Sequence, residues 1–83
     1  MEMIEILIIK EQIEKHYKVK TQFHKGKLII DVPVKIGLTK KEDKIDYVED
    51  LMKQIVDGVR QHKAVFDVEC DMTYESITIS FIG

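Results

Sequence analysis

From Tyr17 to Lys35 the chain reads YKVKTQFHKGKLIIDVPVK, and this ribbon constrains the fold more than any other stretch. Side chains along a strand alternate between two faces. On that period Tyr17, Val19, Thr21 and Phe23 share one face, while Lys18, Lys20, Gln22 and His24 share the other. Downstream, Leu28, Ile30, Val32, Val34 and Ile36 oppose Lys27, Ile29, Asp31, Pro33 and Lys35. Pairing Phe23 with Leu28 aligns both apolar faces and sets Lys20 opposite Asp31. A slip of one residue would put the apolar face in water, so the pattern specifies its own register. The single proline constrains the turn. With a two-residue Lys25-Gly26 loop and a full ladder, Pro33 would owe Lys18 a hydrogen bond that it has no N–H to give. We therefore expect a four-residue loop from His24 to Lys27, closed at Phe23 and Leu28, with the second strand at an edge or bulged near Pro33.

A second ribbon, AVFDVECDMTYESITISFIG, repeats the alternation. Ala64, Phe66, Val68, Cys70 and Met72 point one way; Val65, Asp67, Glu69 and Asp71 point the other. After the turn, Ile77, Ile79 and Phe81 point in, and Ser76, Thr78 and Ser80 point out.

Each hairpin follows a helical segment. Over about Glu2 to His16, Met3, Ile6, Ile9, Ile13 and Tyr17 recur at helical spacing. Ile4 and Ile8 begin a second stripe that continues into Glu11 and Lys15 on a different face. A helix apolar on two sides has something to cover on both. Between Thr39 and about His62, Ile45, Val48, Leu51, Met52, Ile55, Val56 and Val59 form one stripe, opposite Glu42, Asp43, Asp46, Glu49, Asp50 and Asp57. Thr39 with Glu42 predicts a capping box. Gly58 costs about 1 kcal/mol against alanine in a helix, which a close approach of neighbouring backbone would explain.

The expected architecture is a single α+β domain spanning residues 1–83. It is a two-layer sandwich of order α-β-β-α-β-β, with a four-stranded antiparallel sheet from two hairpins and both helices on one face. At 83 residues the chain buries only about 60% of its unfolded surface, so covering another face would help its stability.

A hydrophobic content of 45% excludes a disordered charged tail, and a net charge of -2 argues against a dedicated polyanion binder. The charge is unevenly placed. Residues 10–41 carry nine lysines against three acids, and residues 42–83 carry four bases against ten acids. One cysteine cannot form an internal disulfide, which fits a reducing cytoplasm. No secretory leader or membrane span is expected. Twelve lysines to one arginine, with abundant isoleucine, suggest AT-rich coding of bacterial, phage or archaeal type.

Three surfaces compete for a functional role. Exposed isoleucines at Ile4 and Ile8 could form the centre of a homodimer contact. Lys18, Lys20, His24, Lys25, Lys27 and Lys35 could grip phosphates. The plainer reading is that they solvate an open sheet beside Asp67, Glu69 and Asp71, and no aromatic on that face is available to stack a base. Asp46 and Asp50 lead an acidic helix face that could meet a basic partner.

Catalysis finds little support. Cys70 reads as a buried structural thiol flanked by acids, the wrong setting for a nucleophile. His16, His24 and His62 fall on separate elements without metal-ligand spacing, so no metal or cofactor is expected. Isolated glycines make no phosphate loop. A cleft lined by Tyr17, Thr21 and His62 would reopen the enzyme or carrier reading. The preferred expectation is a non-catalytic protein-interaction domain (a regulator, inhibitor or accessory subunit), homodimeric, using Ile4, Ile8, Lys18, Lys20, Asp46 and Asp50. The alternative is a nucleic-acid binder using the first hairpin.

Overall fold

In the computed structural model the described residues are 3–33, 37, 39–62 and 67–82. The elements are α1 (Met3–Tyr17), β1 (Lys20–His24), β2 (Lys27–Asp31), α2 (Lys41–Arg60), β3 (Asp67–Met72) and β4 (Ser76–Ile82). They follow the expected α-β-β-α-β-β order. The strands form one antiparallel sheet in the order β1-β2-β4-β3, which leaves β1 and β3 as edges. Expectations for Val34, Lys35, Ile36, Ala64, Val65 and Phe66 lie outside the described residues.

Period-two alternation carries across all four strands. One row joins Phe23, Leu28, Ile79 and Cys70, and the next joins Thr21, Ile30, Ile77 and Met72. Leu28, Ile30, Ile77 and Ile79 are fully buried because they sit on the two central strands. Against them pack Ile9 and Ile13 of α1 and Val48, Ile55, Val56 and Val59 of α2, so both helices cover the same face. The opposite face carries Lys20, Gln22 and His24 of β1, Lys27, Ile29 and Asp31 of β2, and Glu69 and Asp71 of β3. Lys41 Nζ lies 5.1 Å from the centroid of the Tyr74 ring, which ties the start of α2 to the β3–β4 turn.

Four local expectations are corrected. The first hairpin turn is a two-residue loop: His24 pairs with Lys27, and Lys25 and Gly26 both have positive φ, at 50° and 76°. Positive φ at both central positions is the type I′ pattern, whose twist matches the flanking strands. Pro33 permits it because the ladder ends at Lys20 and Asp31. Lys18, at φ 54°, turns the chain out of α1 in the left-handed conformation common at helix ends. The Val32 N–H donates to the Glu75 carbonyl at 2.8 Å, on the other side of β2.

The capping box does not form either. Lys40 occupies the N-cap position of α2 and makes no side-chain capping bond. Gly58 has no close neighbour: a Cβ built there would meet nothing within 4 Å. Finally, Cys70 is exposed. It faces the helix side opposite Ile79, but β3 is an edge strand, and the cover that buries Val68 does not extend over it.

Candidate functional site

The helix α1 is apolar on two sides, and the sheet uses only one. Ile6, Ile9 and Ile13 are buried. Met3, Ile4, Leu7 and Ile8 are exposed at 55%, 64%, 50% and 47%. Residues three and four apart are neighbours on a helix, so these four form one patch over two turns. The structure therefore places Ile4 and Ile8 on the surface, not between the sheet and α2. Met3 and Leu7 join them. Sequence reasoning put Met3 on the inward stripe, but burial along α1 begins at Ile6. Leu7 was legible as the i+3 neighbour of Ile4.

The anchor of α1 lies one turn from its C-terminus. Glu14 accepts hydrogen bonds from Lys10 Nζ and, at 3.0 Å, from Thr21 Oγ1 on β1. The Lys10 bond first, and the Thr21 bond second, hold the Glu14 carboxyl below its ordinary range.

Between the C-terminal halves of α1 and α2 lies a cleft of about 550 Å³. Its floor is apolar, formed by the buried side chains of Ile9, Ile13, Ile55 and Val59 beside Gly58. Its rim carries Gln12, Lys15, His16, Tyr17 and His62. His62 Nε2, just past the end of α2, lies 2.9 Å from Gln12 Oε1 of α1, and the His16 and Tyr17 rings meet edge-on at 4.6 Å. Tyr17 and His62 line this cleft as considered above, but Thr21 does not. Thr21 spends its hydroxyl on Glu14. Sequence patterning could not show the cleft, because it depends on the gap between two helices. Gly58 was the one local signal.

The remaining candidates are dispersed. Lys18 sits at the α1–β1 junction, Lys20 on the bare side of the sheet, and Asp46 and Asp50 on the exposed face of α2. Asp50 accepts a hydrogen bond from Gln54 Nε2 at 3.3 Å. Lys20, His24, Lys25 and Lys27 gather at the first hairpin, all exposed; Lys35 lies outside the described residues. The expected lysine–acid neighbourhood is interrupted. β4 places Ser80 between Lys27 and Glu69, and Thr78 between Ile29 and Asp71. Among the described residues, the three ion pairs are i,i+4 pairs within helices and involve none of these lysines.

Among the described residues no group of three histidine, cysteine or acidic side chains could hold a metal ion. No helix there is long and apolar enough to cross a membrane. No known protein family, curated protein or solved structure matches the chain.

Proposed function

We propose that the protein is a non-catalytic cytoplasmic interaction domain that self-associates through the outer face of α1, in the role of a regulator, inhibitor or accessory subunit. The observation that carries this reading is the exposure of Met3, Ile4, Leu7 and Ile8 together on one helix face. Contiguous apolar patches on small proteins mark contact sites, whereas scattered apolar residues need no explanation. Each of these side chains is already about half covered, so burying the remainder contributes roughly 1 kcal/mol apiece, in sum a large share for a domain with a small core. Sedimentation equilibrium of the full chain tests it. The expected result is a concentration-dependent dimer, converted to a folded monomer by Ile4→Glu with Ile8→Glu. A wild-type chain that stays monomeric up to high micromolar concentration contradicts it.

A second reading is supported by the unpaired lysines of the first hairpin. Lys20, Lys25 and Lys27 could bind nucleic-acid backbone, with Lys18 and His24 beside them. Each phosphate contact would add about one unit to the slope of log K against log salt. Titration with generic DNA and RNA separates the readings. A steep slope lost with Lys18→Ala and Lys20→Ala favours this one, and no binding at low salt removes it.

A further inference from the structure

We infer that α1's outer face is received by the α1–α2 cleft of a second copy of this chain. The two α1 helices lie antiparallel, so that the N-terminal half of each enters the other's cleft. This rests on the reading that the α1 face self-associates, and adds the surface that receives it.

Position gives the first support. The apolar patch occupies α1 from Met3 to Ile8, and the cleft runs along α1 from Ile9 to Tyr17. A two-fold axis across the middle of α1 brings each half of one helix onto the opposite half of the other. Patch and cleft are then both used twice in a closed dimer.

Charge selects the direction. Glu5 lies in the first turn of α1, and Lys15 and His16 lie in the last. Antiparallel helices set Glu5 of one copy beside Lys15 of the other and oppose the helix dipoles. Parallel helices would place Glu5 on Glu5 and Lys15 on Lys15. Lys15 is available for this contact: its pairing with Glu11 is 3.6 Å long, with side chains 79% and 70% exposed. Such exposed pairs contribute little.

Gly58 supplies the space. It sits inside α2 with nothing within 4 Å of its missing Cβ, so among the described residues nothing requires a glycine there. An incoming Leu7 or Ile8 would. The area points the same way. The patch spans only about 9 Å of helix axis. Two patches meeting alone would fall short of the roughly 1,200–2,000 Å² that stable interfaces bury. Reciprocal insertion adds both clefts.

Sedimentation equilibrium on full-length variants decides it, with circular dichroism checking the fold of each. Ile8→Glu and Gly58→Leu are each expected to weaken the dimer about tenfold or more. Leucine is a good helix former, so Gly58→Leu should remain folded. Glu5→Lys should also weaken the dimer, and adding Lys15→Glu to it should restore association. If Ile8→Glu dissociates the dimer while Gly58→Leu does not, or the charge exchange fails to rescue, the arrangement is overturned but self-association through α1 stands. A wild-type monomer at every concentration overturns both. A monomer whose cleft binds anilinonaphthalene sulfonate, with binding lost in Gly58→Leu, assigns the cleft to a small apolar ligand and overturns the inference.

Discussion

The two helices cover the same sheet and differ in what their other faces offer. On α2, Val48, Ile55, Val56 and Val59 are buried, and the opposite side is a row of exposed acids. The centre of its apolar stripe finds cover within the chain, with Ile45, Leu51 and Met52 half-buried at its margin. On α1 the adjacent residues Ile8 and Ile9 are 47% and 1% exposed, so the helix is apolar both toward the sheet and away from it. A sharply divided helix needs one neighbour; an undivided one needs two. One neighbour of α1 is the sheet. Among the described residues nothing buries the side that carries Met3, Ile4, Leu7 and Ile8.

The largest test of that contrast is a pair of alanine substitutions one residue apart, measured by urea unfolding of dilute, monomeric protein. Ile9→Ala should cost about 2–5 kcal/mol, because the core closes on it. Ile8→Ala should stay within about 0.5 kcal/mol. Equal losses would mean that α1 is buried on both sides in the monomer. Next come two gains on α2. Lys40→Asp supplies the missing N-cap acceptor and a favourable charge at the helix start, worth about 1 kcal/mol. Gly58→Ala should also gain up to about 1 kcal/mol in the monomer, since the added methyl meets no atom. A loss there would show that the backbone of α2 is strained or crowded at that turn.

On α1 the smaller counterpart is Lys18→Gly. It relieves a left-handed lysine at the end of the helix, offset by extra freedom in the unfolded chain, for a net gain of about 0.5 kcal/mol. The smallest effect is acidic. Since the folded-state Glu14 carboxyl titrates below its ordinary range, its bonds contribute above the unfolded value and are lost as pH falls through the folded one. The melting-temperature difference between wild type and Glu14→Gln should therefore shrink toward zero on acidification. A difference that stays constant would mean that Glu14 does not hold α1 to β1.

The register of the first hairpin was legible because alternation leaves only one alignment that buries Leu28 and Ile30. The same pattern placed Val19 and Val68 inside and Glu69 outside. What escaped was set by backbone conformation and strand order. Lysine is a poor former of left-handed turns, so nothing in the local residues announced Lys18 and Lys25 there, and Pro33 then forced a longer loop than the chain uses. Cys70 follows the inward period correctly, yet it is exposed where Val68 on the same edge strand is buried, a difference in cover that alternation does not encode. Ile4 and Ile8 were visible as a second stripe, but whether a stripe is covered from inside or outside the chain depends on where α2 lies. The cleft beside Gly58 has the same origin.

Hydrogen exchange of the wild-type chain at low and high protein concentration tests the asymmetry between the helices most directly. The expected result is that amides of α1, from Met3 to Tyr17, gain protection on concentration while those of α2 from Glu42 to Asp50 do not change. Unchanged exchange in α1, or added protection confined to the acidic start of α2 or to the bare face of the sheet, would contradict it.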